Sequence, residues 1–214
     1  MNINPMKNVM KRTFFTFLSV LLACSLYAIE PITQEGTFNV KRCNGAAATF
    51  YIDWDKTMCG EIDEGVFVRK GTPINIWLKQ RDELKIADGK PEDANYVKDW
   101  IAIQAECVSN FKSDWNGEFG KKGLRLTNNS DEAIYHLNIV IDGLDWGGTA
   151  GSMFGWGNAG GAVIIGHIDI IERATGKLVT RFNLRHVQGS GHFTDRLRIM
   201  LVFNQLVYEI EDLY

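Results

Sequence analysis

No C-x-x-C pair occurs in this sequence, no Gly-Lys-Ser/Thr closes a glycine loop, and lysines and arginines nowhere gather into a patch. Each absence closes a class of chemistry. Without paired cysteines there is no zinc knuckle and no thioredoxin-like dithiol. Without the Walker lysine there is no P-loop. With 23 basic residues against 26 acidic ones the net charge is -3, which makes nucleic acid a poor electrostatic partner. Long apolar runs are also missing. The longest, near the N-terminus, has about ten residues, and a membrane-spanning helix needs ~20.

That run is nonetheless informative. Lys7, Lys11 and Arg12 precede Phe14-Phe15-Thr16-Phe17-Leu18-Ser19-Val20-Leu21-Leu22-Ala23. Basic residues followed by a short apolar stretch are the first two regions of a secretory signal. Residues 1–28 are therefore expected to be a signal peptide, with cleavage between 23 and 28; cuts after Ser25 and after Ala28 both fit. Leu21-Leu22-Ala23-Cys24 also resembles a bacterial lipobox, which would place a lipid on Cys24, although Leu22 departs from the small or β-branched residue usual there. The expected location is outside the cytoplasm: periplasm, outer-membrane surface or secreted. Loss of the leader leaves about 190 residues, enough for one domain with its own core. It also leaves 20 basic residues against 26 acidic, a net of about -6. Cys43, Cys59 and Cys107 remain, and an oxidising compartment permits a disulfide, with Cys43 and Cys59 the pair nearest in sequence.

Glycine is abundant, and one stretch, Gly155-Trp156-Gly157-Asn158-Ala159-Gly160-Gly161, contains the G-x-G-x-x-G spacing of dinucleotide sites. That spacing works only where the glycines open a helix, whose free amides and positive end hold the pyrophosphate. Here Ala162-Val163-Ile164-Ile165-Gly166-His167-Ile168-Asp169-Ile170-Ile171 follows, β-branched and without helical period. The stretch reads as a connection between strands, and no nucleotide or other cofactor is expected. Its apolar content is unusual: Trp146, Met153, Phe154 and Trp156 stand among seven glycines. Large aromatics are usually buried, so these four residues are expected to fold over an open end of the core. The functional alternative is a contact surface for a protein, glycan or lipid.

Periodicity supplies the rest of the fold. Residues 29–36 read as an extended lead-in, 37–41 as a weak strand and 48–54 as a better one. Residues 56–95 give no clear pattern; 73–78 fit either a short strand or the first turn of a helix. From Tyr96 to about Gly120, Trp100, Ile103, Cys107, Phe111 and Trp115 recur at intervals of three and four, one stripe of a helix. A short strand follows at 124–127. Residues 134–142 alternate, with Tyr135, Leu137, Ile139 and Ile141 on one face. Residues 162–172 and 178–187 read as a hairpin joined at Ala174-Thr175-Gly176-Lys177. A last helix is expected over about 195–213, capped by the Thr194 hydroxyl, with Leu197, Leu201, Asn204 and Tyr208 on its step. The sum is one α+β domain over 29–214: a mixed, mainly antiparallel sheet with two long helices packed on one face.

Catalytic constellations are thin. His186 and His192 flank Ser190, which suggests a hydrolase cleft, but Gly189-Ser190-Gly191 lacks the full G-x-S-x-G elbow. His167 and Asp169 share a strand face, yet no ligand spacing supports a metal there. The acid pairs Asp53/Asp55 and Glu209/Glu211 read as solvated charge.

Four stretches carry a family resemblance. They are Gly123-Leu124-Arg125-Leu126; Leu137-Asn138-Ile139-Val140-Ile141; Gly166-His167-Ile168-Asp169-Ile170 with Thr175-Gly176-Lys177; and Gly189-Ser190-Gly191-His192-Phe193-Thr194. Together with the order of elements they resemble the secreted α/β domains of Gram-negative cell-envelope proteins, distantly similar in style to the periplasmic domain of the curli-secretion lipoprotein. The resemblance covers about the C-terminal two-thirds and implies a non-catalytic envelope domain, with no catalytic residues to carry over. The function expected is therefore a secreted or envelope-attached, non-enzymatic binding or assembly module with a protein or glycan partner. The alternatives are a hydrolase using His186, Ser190 and His192, or a purely structural envelope subunit.

Overall fold

The alternation read along 134–142 becomes the longest strand of the protein, β8 (Ala133–Asp145). The computed structural model describes residues 30–147, 160–192 and 194–214, so Cys24, Met153, Phe154 and Trp156 lie outside the described residues. Around β8 the chain from Pro31 to Tyr214 forms one α+β unit. The other strands are β1 (Ile32–Glu35), β2 (Ala47–Asp53), β3 (Met58–Cys59), β4 (Ile62–Asp63), β5 (Val66–Phe67), β6 (Thr72–Pro73), β7 (Arg125–Leu126), β9 (Val163–Glu172) and β10 (Lys177–Gln188). The helices are α1 (Ile74–Ala87), α2 (Tyr96–Glu118) and α3 (Asp195–Glu211).

The main sheet runs β1-β10-β9-β8-β2-β7. β1, β10, β9 and β8 pair antiparallel, whereas β2 joins β8 in parallel, so the sheet is mixed and mainly antiparallel. β3 continues along the same edge of β8 beyond β2, pairing Met58 with Gly143 and Cys59 with Leu144. β4 and β5 form a separate small hairpin. β9 and β10 meet at Glu172 and Lys177, where Gly176 takes a φ of 68° and the Thr175 hydroxyl donates to Glu172 at 2.6 Å.

Helix α2 follows its stripe: Trp100, Ile103, Cys107, Phe111 and Trp115 are all buried. The Trp115 indole N–H donates to the Leu124 carbonyl at 2.6 Å, tying the helix to the strand after it. Trp54, at the end of β2, meets Trp100 of α2 edge-on at 5.1 Å and Phe203 of α3 at 5.5 Å. α2 and α3 therefore close one face of the sheet over a shared aromatic core.

Several expectations are corrected. α3 buries Ile199, Val202, Phe203, Leu206, Val207 and Ile210; Leu197 and Tyr208 sit on its outer side, 36% and 48% exposed. Both stripes follow a helical step, and only contact with the sheet selects one. The Thr194 hydroxyl makes no capping bond. Its amide donates to His192 Nδ1 at 3.2 Å, and the start of α3 is held by Arg198 and Asp195 instead. Residues 37–41 form no strand: a 3-10 turn at Val40–Arg42 replaces it, with fully buried Val40 as a plug. A third helix, α1, occupies part of the patternless 56–95 segment. It buries only Ile74 and Leu78, which is why its apolar period is faint.

Cys43, Cys59 and Cys107 are free thiols, and the Cys43–Cys59 disulfide does not form. Cys43 influences Tyr135 near the start of β8, while Cys59 is paired with Leu144 near its end. That length of strand spans about 30 Å, far beyond disulfide reach.

Candidate functional site

Two helix starts, one side of a third helix and one strand end converge at a single place. β8 delivers Asp145, Trp146 and Gly147. α1 presents Trp77, Arg81 and Lys85 at intervals of four, which aligns them on one side. The first turns of α2 bring Tyr96, Asp99 and Trp100, and the first turn of α3 brings Asp195, Arg196 and Arg198.

Trp146 is the centre, only 5% exposed. It stacks on Trp77 at 4.6 Å and touches Trp100 at 5.8 Å and Tyr96 at 6.3 Å. The Arg81 guanidinium lies 5.2 Å from the Trp77 ring and 5.5 Å from the Tyr96 ring. Such cation–π seats hold a cation without neutralising it. Arg81 Nε is buried and has no hydrogen-bond partner among the described residues. The Trp146 indole N–H likewise has none among the described residues. It lies beside the Cys59 thiol, which burial pushes up to about 12, with the indole opposing that rise.

Two clefts open on either side of this floor. The upper, about 660 Å³, is lined by Arg81, Lys85, Asp93, Asn95, Tyr96, Asp99 and the start of α3. The lower, about 630 Å³, is lined by Glu61, Asp63, Trp77, Arg81, Asp145, His186 and Gln188. Arg81, Trp146 and Gly147 line both.

Polar bonds pin the walls. Arg198, 3% exposed, donates from Nε to the Trp146 carbonyl and from a terminal nitrogen to the His192 carbonyl, both at 2.8 Å. Its other terminal nitrogen pairs with Asp195, whose second oxygen accepts from the Tyr96 hydroxyl at 3.1 Å. Burial first, and then Asp195, raise the Tyr96 phenol above its ordinary range, with Arg81 opposing. Asp82 of α1 accepts from the backbone amides of Tyr96 at 2.7 Å and Val97 at 3.2 Å, so one helix caps the next. The Asp145 carboxylate accepts from Gly147 N at 2.8 Å and Ile62 N at 3.2 Å.

The glycines at the base are explained by proximity of backbone. A Cβ on Gly161 would stand 1.9 Å from the Gly189 carbonyl oxygen, and one on Gly147 would stand 2.3 Å from that of Gly160. β9 begins at Val163 as a strand. The segment after the G-x-G-x-x-G spacing thus presents no helix terminus to a phosphate.

Trp146 joins the site as its buried floor. His186 lines the lower cleft, with Nδ1 buried and without a hydrogen-bond partner among the described residues. His192 is engaged by Thr194, and Ser190 is exposed. No hydrogen bond joins the three, and neither cleft contains more than one of them. On the open face of the sheet, Asp169 is gripped by Arg181 at 2.6 and 2.7 Å, and His167 lies between Asp142 and Asp169 at 3.7 and 3.9 Å. Among the described residues no group of three or more His, Cys, Asp or Glu could hold a metal. Asp53 accepts from the Asp55 amide, Glu209 from Gln205, and Glu211 pairs with Lys41. Arg81, Lys85, Asp99 and Arg198 carried no sequence signal, because each owes its role to neighbours distant along the chain.

No family model and no curated protein matches this chain. Among solved structures it is similar to the PelC dodecamer from Paraburkholderia phytofirmans at 11% identity and a TM-score of 0.40, over 82% of this chain and 96% of that one. A point variant of that dodecamer matches at 10% identity and a TM-score of 0.35, over 83% and 95%. Scores this low carry no conclusion about this chain. No helix among the described residues is long and apolar enough to cross a membrane.

Proposed function

We propose that the chain is an exported, non-enzymatic binding module of the cell envelope whose contact surface is the pair of clefts around Trp146. The observation that carries this reading is the rigid floor of Trp77, Tyr96, Trp100 and Trp146 beneath solvent-open clefts whose rims hold charges unused in folding. Preformed clefts with a few convergent polar groups are where ligands bind. Export is supported by the basic-then-apolar leader at Lys7–Ala23.

The test has two arms. Fractionation should find the mature chain in the envelope or outside the cell, and the mass of its N-terminus distinguishes simple cleavage from lipid on Cys24. Purified mature protein should be retained by envelope material, and Lys85→Glu or Asp99→Lys should reduce that retention with the melting temperature unchanged. A cytoplasmic chain would sink the proposal. So would turnover of esters, peptides or glycans that His186→Ala or Ser190→Ala abolishes.

A further inference from the structure

We propose that the two clefts are one groove for an uncharged, hydroxyl-rich chain, a neutral glycan, with Arg81 as the hub that donates into both. This rests on the binding-module reading and specifies its ligand.

Continuity is the first ground. Arg81, Trp146 and Gly147 belong to both linings, so the clefts are neighbours with one wall in common, and a chain that occupies both crosses at Arg81. Each cleft is of a size that takes a drug-sized ligand, about two or three sugar rings, and the two in series suit a linear chain.

The second ground is which groups folding leaves unspent. Asp195 is engaged by Arg198 and Tyr96, Arg196 by Glu106, and Asp145 by two backbone amides. Arg81, one of whose donors meets the Tyr96 phenol, and Lys85 are the donors, with Asp93, Asp99, Glu61 and Asp63 as acceptors, and none of these six is in an ion pair among the described residues. Guanidinium and ammonium groups only donate, whereas carboxylates only accept. A hydroxyl does both, so a polyol can answer every one of these groups in turn. A polyanion would meet four carboxylates, and a polycation would meet Arg81 fixed on its two rings.

The third ground weighs against an apolar peptide. Trp146 is buried, the Trp77 ring is stacked by Trp146 and approached by Arg81, and Tyr96 also carries Arg81, so the aromatic surface left to the clefts lies beside a cation and suits an apolar anchor poorly. The floor's part is to hold the Arg81 guanidinium at the junction of the clefts.

The experiment is calorimetric or NMR titration of the mature protein with hexamers and dimers of glucose and N-acetylglucosamine, and with hexagalacturonate and hexaglucosamine. At least one neutral hexamer should bind at least about tenfold tighter than its dimer, because only the hexamer fills both clefts. Its affinity should change less than about threefold between roughly 0.05 and 0.5 M salt, as expected without formal charge on the ligand. Arg81→Gln should weaken the hexamer at least about tenfold. Asp99→Asn, a rim change that keeps the fold, should weaken it about threefold. Tighter, salt-sensitive binding of a charged hexamer overturns the inference and leaves the binding module standing. So does a hexamer no better than its dimer, or an Arg81→Gln protein that binds normally. Failure of every glycan also overturns it. If Lys85→Glu then leaves envelope retention untouched, the binding-module reading falls as well.

Discussion

Replacing Arg198 by methionine should unfasten the floor of the groove. Methionine keeps most of the aliphatic stem, so packing against α3's neighbours changes little. It removes every donor. The Trp146 and His192 carbonyls each lose a bond of 2.8 Å, and Asp195 loses its cation while keeping the Tyr96 hydroxyl. An orphaned buried acceptor costs ~1–3 kcal/mol, and removing one partner of a buried pair ~3–5 kcal/mol. Release of the buried guanidinium offsets part of this, and the Asp195 side chain keeps 23% of its surface. The expected loss is therefore ~3 kcal/mol. For a domain of this size that lowers the melting temperature by ~6–12 °C. Urea denaturation followed by tryptophan fluorescence reads it directly, since Trp146 is among the groups released. A double-mutant cycle with Asp195→Asn should show a coupling of ~1–3 kcal/mol. A loss under ~1 kcal/mol, or a gain, would mean that apolar filling suffices and that the Arg198 bonds do not hold Trp146 in place.

Asp82→Ala should cost ~1–2 kcal/mol, because the Tyr96 and Val97 amides in the first turn of α2 lose their side-chain acceptor; amide exchange at both should accelerate, and unchanged exchange would refute the cap. The thiols give a pH test. Burial pushes Cys43 up to about 11 and Cys59 and Cys107 up to about 12, from an ordinary value of 9.0. The native protein should resist thiol reagents at pH 8 and react only on unfolding. Because the folded state keeps its thiol protons longer than the unfolded one, this contribution to stability is complete below pH 9 and declines as pH rises toward about 12. A triple Cys→Ala protein should show a shallower alkaline decline, and an identical one would contradict the assignment.

Elements with one buried face were legible in the sequence. In β8, Leu137, Ile139 and Ile141 alternate with Asn138, Val140 and Asp142, and in α2 the Trp100–Trp115 stripe has a helix period, because burial on one side imprints its period on the chain. α1 was not legible, since two buried residues imprint too little. In α3 two apolar stripes compete, and the sequence alone favoured the outer one. The candidate site was half visible. Trp146 stood out as a tryptophan at the edge of a glycine-rich run, while Arg81, Asp82 and Arg198 looked like ordinary helical charges. The most distant partner of each lies 15 to 52 positions away, beyond any local pattern.

By itself the amino-acid sequence determined the class of the fold, the strand that follows the glycines and the leader-like start. These depend on local periods and on backbone geometry, which neighbouring residues set. Only the tertiary structure decided that Cys43 and Cys59 lie at opposite ends of one strand, that Arg198 rather than Thr194 secures the last helix, and that Arg81 stands between two clefts. Those facts depend on which surfaces meet when the sheet and three helices close on one core, and a linear order of residues does not contain that information.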